Sequence, residues 1–186
     1  MTRRRLRAAD RRDQLLDVAR EIVAAQGFTD LTIDKVARQS GVTRTVVYHQ
    51  FTDLAGLTTA LLDRESAIAF AGMSTVADVG LEVLGDGILA YLHAAPASWR
   101  IILCPPDGAP PEARVRIELG RSYARGVAAR HLGLDPDGAP VRILLAAIEE
   151  LARLHLEDRD RYPDELVRTH LRSLVAWAAS APVTAD

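Results

Sequence analysis

The sequence predicts an all-α fold of about nine helices, a small N-terminal three-helix head followed by a larger C-terminal bundle. Three observations carry this. Apolar residues recur every three or four positions along most of the chain, the period of a half-buried helix. The pattern breaks where helices end, at Gly27, Gly41, Pro96, Pro105-Pro106, Pro110-Pro111, the 133–140 segment and Pro163. No alternating Val/Thr/Tyr run between turns signals a strand. With 48% hydrophobic and 26% charged residues over 186 positions, the chain can bury a proper core, and disorder throughout is excluded. No stretch approaches the ~18 apolar residues of a membrane span, and the arginine-rich N-terminus lacks the apolar region of a secretory signal, so a cytoplasmic protein without membrane contact is expected. The single Cys104 can form neither an internal disulfide nor, alone, a zinc site, and reads as a small core residue beside Ile101, Ile102 and Leu103.

The first helix is expected over 10–26, with Leu15, Ala19, Ile22 and Val23 as its apolar stripe. Gly27 ends it, and Phe28 reaches back to Val23. Residues 31–54, LTIDKVARQSGVTRTVVYHQFTDL, then spell two short helices joined at a glycine. Thr32 can cap the first of these, with Asp34 in its positively polarised first turn and Ile33, Val36 and Ala37 on one face. Gly41 suits the left-handed stop, and Val42 can fold back on Ala37. Thr43 caps again. In the second short helix Val47 and Phe51 face inward, which turns Arg44, Thr45 and Tyr48 outward and leaves Val46, His49 and Gln50 at the edges. A helix-turn-helix needs this arrangement, because the second helix must enter the DNA major groove while the first braces it.

A fourth helix, about 53–72, carries Leu57, Leu61, Leu62 and Ile68 past the motif with no flexible linker after it, so a rigid connection is expected. Further helices are read at 76–94, 97–103, 111–132, 141–157 and 164–179. The expected division is a basic arm over 1–9, a helix-turn-helix domain over 10–52 and a second domain over 53–186. Charge follows it. Residues 1–50 hold ten basic and six acidic groups, a net of +4 within a total of −2, so the basic end is the DNA end. Arg3, Arg4, Arg5 and Arg7 can lie along phosphates or enter a minor groove; the other reading of this arm is a solvated tail.

Between about Asp10 and Glu65 the chain resembles the DNA-binding domain of the tetracycline-repressor (TetR) family of bacterial transcriptional regulators. The likeness covers roughly a third of the chain and rests on Gly27-Phe28, Leu31-Thr32-Ile33, Val36-Ala37, Gly41-Val42-Thr43, Tyr48-His49, Phe51 and Leu57. Leu54 stands where the family commonly has a phosphate-contacting lysine, and Gln50 where an aromatic residue is frequent. Thr45 and Val46 replace a usual Gly and Thr, so the DNA site cannot be copied from a relative. The resemblance implies a regulator that binds a palindromic double-stranded operator through Thr32, Thr43, Arg44, Thr45, Val46, Tyr48, His49 and Gln50. It also implies a small-molecule effector pocket in the C-terminal region, for which Leu84, Ile88, Tyr91, Leu92, Trp99, Ile102, Tyr123 and Val127 are the candidates. The other reading of those eight is ordinary packed core. In similar proteins the last two helices pair with their copies in a homodimer, and the wide stripe of Leu144, Ile148, Leu151 and Leu154 with Leu166, Leu171, Leu174 and Trp177 fits such a face. Completion of the monomer core explains the same stripe.

Nothing in the sequence argues for catalysis. His155, Glu157, Asp158 and Asp160 form the densest cluster of titratable groups, but Arg153, Arg159 and Arg161 alternate with them as on a solvated ion-pair surface. There is no HExxH, no phosphate-cradling glycine loop and no nucleophile with a local signature. His93, His131 and His170 read as ordinary partly buried or helix-end residues. No metal, cofactor or enzymatic role is expected. The expected function is a repressor released by an effector; an activator of the same fold, or a small helical enzyme or interaction module, are the alternatives.

Overall fold

The computed structural model describes residues 8–77, 84–103 and 109–181. Arg3, Arg4, Arg5, Arg7 and Cys104 lie outside these residues, and so does the side chain of Leu84. Among the described residues there are nine α-helices, one short 3-10 turn and no strand. The helices are α1 (Ala8–Gln26), α2 (Ile33–Ser40), α3 (Arg44–Phe51), α4 (Leu54–Ala77), α5 (Leu84–Ala94), α6 (Pro96–Leu103), α7 (Pro111–Leu132), α8 (Ala139–Glu157) and α9 (Asp164–Ala179), with the turn at Phe28–Asp30. No helix among the described residues is long and apolar enough to cross a membrane.

Three boundaries differ from the sequence expectation. α4 runs through Gly72 to Ala77, because one interior glycine costs a helix only about 1 kcal/mol; the helix expected over 76–94 accordingly begins at Leu84. α8 starts at Ala139 with Pro140 in its first turn, where a missing N–H costs nothing.

The short helices are set by their ends. The Lys35 N–H donates to Thr32 Oγ1 at 3.1 Å, Gly41 takes the left-handed conformation (φ 63°, ψ 35°), and the Val42 N–H donates to the Ala37 carbonyl at 2.9 Å. Thr43 stands at the cap position of α3 but, against expectation, its side chain makes no capping hydrogen bond. Its extended backbone suffices to start the helix, the Val46 N–H donating to the Thr43 carbonyl at 3.0 Å.

Leu15, Leu16, Ala19, Ile22 and Val23 of α1 share a core with Val36 and Ala37 of α2 and with Val47 and Phe51 of α3. Leu57, Leu61 and Leu62 of α4 and Ile101 of α6 complete the same core. Packing of the head therefore continues past residue 53. A polar chain reinforces this seam. Arg64 of α4 donates to Asp17 of α1 at 3.0 Å and to the fully buried Glu65 at 2.9 and 3.0 Å, and the Ser98 hydroxyl of α6 donates to the other oxygen of Glu65.

The corner between α3 and α4 is tight. Thr52 has φ 66° and ψ −53°, and the Asp53 N–H donates across it to the Phe51 carbonyl at 2.7 Å. This is the strained form of a γ-turn, occupied by a β-branched residue. Asp53 caps α4 by accepting from the Gly56 N–H at 2.7 Å. A Cβ on Gly56 would lie 2.1 Å from the Phe51 carbonyl oxygen, so only glycine allows α4 this close to the end of α3. Gly56→Ala is expected to destabilise the protein by about 1–3 kcal/mol, the usual range for overpacking, read as a lower urea midpoint. An unchanged midpoint would show that the corner relaxes freely.

Candidate functional site

The surface of α3 presents Thr43, Arg44, Thr45, Tyr48 and His49 as exposed side chains, with Val46 and Gln50 half-buried and Thr32 exposed at the neighbouring start of α2. Tyr48, at 48% exposure, is among the most exposed large side chains of the described residues. Arg44 is not idle: both its Nε and Nη2 donate to the Asp34 carboxylate of α2. That hydrogen bond first, and the Asp34 charge second, raise the Arg44 pKa further above its ordinary value. The far end of α3 is held from α1. Arg12 donates to the Gln50 carbonyl at 2.7 Å, its guanidinium lies 4.5 Å from the centre of the Phe51 ring, and its charge meets the negative end of the helix dipole. Arg12, read from sequence only as part of the basic end, is thus a support of α3.

A cavity of about 200 Å³ opens between α4, α5, α6, α7 and α8, touched at its edge by α9. Seven of the eight sequence-predicted lining residues face it: Ile88, Tyr91, Leu92, Trp99, Ile102, Tyr123 and Val127. The lining is almost wholly apolar. Its polar groups come from Ser66, Tyr91, Arg116, Tyr123, His131 and the Arg121–Glu149 pair, in which Arg121 donates to both carboxylate oxygens at 2.8–3.0 Å. The hydrogen bond to Glu149 raises the Arg121 pKa against the opposing effect of burial. Sequence reasoning missed this pair, whose members lie 28 positions apart on different helices.

The stripe on α8 and α9 divides in two. Leu144, Leu151 and Leu171 are buried within the chain; Leu151 and Leu171 pack with Leu89 and Val167, against which Ile148 and Leu166 also lie. For these three the monomer core accounts for the apolar character. Leu154 and Leu174 are only partly covered, while Ile143 and Trp177 are 52% and 43% exposed. Ile143 escaped sequence reasoning because the period gives which residues are apolar and not which neighbour covers them.

The solvated ion-pair surface expected at the end of α8 holds only in part. Arg153 does bridge Glu150 and Glu157, and the Arg161 N–H donates to Asp158 at 3.0 Å. His155, however, is 1% exposed, pointing inward on the same helix face as Leu151 and Ala152.

Comparison with known proteins agrees with this geometry. Residues 15–61 match the family described as bacterial regulatory proteins, tetR family. Over 86 residues the chain is 36% identical to the HTH-type transcriptional regulator SrpR of Pseudomonas putida, a stretch that is 46% of this chain and 39% of SrpR. The chain therefore spans well under half the length of that relative. Its fold is similar to a TetR-like transcriptional regulator from Rhodococcus sp. RHA1 (TM-score 0.73, 17% identity, 96% of this chain and 100% of the other). It is also similar to the transcriptional regulator FadR from Bacillus subtilis, solved in complex with stearoyl-CoA (TM-score 0.64, 15% identity, 90% and 97%). The matched segment holds most of α1, the whole of α2 and α3 and the first two turns of α4, and over this segment the chain is similar to the tetR family of bacterial regulatory proteins.

Proposed function

We propose that the protein is a cytoplasmic, homodimeric transcriptional repressor that binds a palindromic operator and leaves it when a small, largely apolar effector fills the C-terminal cavity. The observation that carries this reading is a shared set of helices. α4 and α6 complete the head core through Leu57, Leu61 and Ile101, and the same two helices wall the cavity through Ser66 and Trp99. Ser66 follows the buried Glu65, and Trp99 follows Ser98. An effector that displaces either wall therefore acts on the polar chain that joins α1, α4 and α6. Effector binding selects a conformer in which α4 has swung and the two α3 helices no longer meet major grooves about 34–36 Å apart. The apolar lining supports an effector with a substantial apolar part, and the acyl chain of the stearoyl-CoA bound by FadR is a group of that kind. The groups that would meet DNA bind, position and discriminate; no step of this function is catalytic.

Selection of bound sequences from a random duplex pool at physiological salt tests the reading. One enriched inverted repeat is expected, and enrichment of nothing would overturn it. On that operator Arg44→Ala should cost roughly 1–3 kcal/mol and relax the preference at a single base pair, because a guanidinium reads guanine O6 and N7 with two hydrogen bonds. Equal weakening on every sequence would make Arg44 a phosphate contact. Tyr48 and His49 act as positioning residues, and substituting them should lower affinity without changing the preferred site.

Deleting residues 2–7 removes four arginines. For every phosphate that the arm had neutralised, the plot of log affinity against log salt should flatten by about 0.9, and an unchanged slope would make the arm a bystander.

The dimer face is assigned to the outward side of α8 and α9, around Ile143, Leu154, Leu174 and Trp177. Ile143→Glu with Trp177→Glu should give a monomer in sedimentation with its helix content kept and its operator affinity reduced to a weak, salt-sensitive level. Leu151→Glu should instead unfold the chain, since it buries an unpaired carboxylate in the monomer core. A double variant that stays dimeric with full operator affinity would refute the face.

A further inference from the structure

Three residues from distant parts of the sequence converge where α5, α8 and α9 meet. His93 is in the last turn of α5, His155 in the last turn of α8, and Asp164 opens α9. The two Nε2 atoms are 3.0 Å apart, and Asp164 Oδ1 lies 3.4 Å from that of His93 and 3.8 Å from that of His155. The imidazole centres are 5.2 Å apart, so the rings meet edge to edge through these nitrogens. Zinc bound at about 2.0–2.2 Å to nitrogen and oxygen in a tetrahedron separates its donors by about 3.3 Å. The three measured separations bracket that value, and the nearest point equidistant from all three atoms, in their plane, lies about 2.0 Å from each, so an ion slightly out of that plane meets all three at bonding distance.

The surroundings set His155 Nε2 as a donor. His155 Nδ1 lies 2.8 Å from the Tyr162 carbonyl oxygen, which can only accept, so Nδ1 carries the proton and the neutral ring turns the lone pair of Nε2 toward the other two residues. An outer partner that sets the tautomer in this way is the usual support of a metal-bound histidine. Asp164 turns Oδ1 to the imidazoles, with Arg168 3.9 Å from its Oδ2. Burial is graded: the His155 side chain is 1% exposed, those of His93 and Asp164 36% and 41%. The partly exposed His93 and Asp164 give an ion a route in.

We propose that His93, His155 and Asp164 form a binding site for a divalent transition-metal ion of the zinc class. Two imidazoles and one carboxylate are the donor set such ions take, whereas calcium and magnesium prefer oxygen alone. The ion would clasp α5 to the corner between α8 and α9. α5 carries Ile88, Tyr91 and Leu92 of the cavity wall, and α8 carries Ile148 and Ala152, so occupancy fixes the spacing of that wall.

The test uses the full, untagged chain stripped with EDTA, without DNA or effector, so that its outcome is independent of the operator. Zinc titrated in competition with a chromophoric chelator should bind at one ion per chain and raise the thermal midpoint. Cobalt in its place should give visible bands more intense than those of the aqueous ion. His93→Ala and Asp164→Asn alter partly exposed side chains, and circular dichroism verifies their folding; each should weaken zinc at least about tenfold. Absence of binding, or binding that both variants retain, overturns the site. If zinc does not bind and His93→Ala lowers the midpoint in EDTA, the two histidines share only a hydrogen bond, and the proposal fails.

Discussion

The arrangement of the whole molecule turns on one buried carboxyl group. Glu65 has no contact with solvent, and a polar group so placed costs several kcal/mol unless its partners are in position. Arg64 and Ser98 are those partners, and Arg64 reaches on to Asp17. Apolar packing tolerates small slides between helices, but hydrogen bonds are directional. The chain from α1 through α4 to α6 therefore fixes register as well as proximity.

α6 has only eight residues, yet both of its sides are engaged. Ser98 and Ile101 turn toward α4 and the head core, while Trp99 and Ile102 turn toward the cavity. A short helix held in this way cannot absorb a push on one side by bending; it moves as a unit or pulls away from its neighbours. The strained backbone at Thr52 and the close approach at Gly56 give the other end of α4 a similarly defined joint with α3. Stiffness between the cavity and the α3 surface thus comes from two polar or steric fixtures about ten residues apart on α4, with Leu57 and Leu61 packed between them.

Features encoded within a few residues were legible in the sequence. Thr32, Gly41 and Val42 mark the turn between α2 and α3 by local chemistry alone, and Pro111 and Gly133 bound α7 for the same reason. Seven cavity residues could be named because helical spacing and apolar character identify an inward face, although spacing cannot say whether a face is packed or hollow. What escaped was mostly pairing across distance. Arg12 with Gln50, Arg44 with Asp34, Ser98 with Glu65 and His93 with His155 are 38, 10, 33 and 62 positions apart, and no local signal links them. The division of the α8–α9 stripe into Leu151 and Leu171 inside and Ile143 and Trp177 outside depends on where α5 lies, which α8 and α9 do not encode.

The Arg44–Asp34 pair gives α3 an internal counterion. Both side chains are more than half exposed, and a surface pair of this kind is worth only about 0–1 kcal/mol, so in the proposed role a guanine edge would take the guanidinium at little cost. A mobile salt ion displaced from a protein or from DNA gains translational freedom, and that gain is what makes binding to phosphates strong at low salt. Asp34 is tethered to the chain and gains none. In the proposed role Arg44 would therefore add little to attachment along ordinary duplex, where only phosphates are on offer, and would contribute where a groove presents two acceptors in the right places.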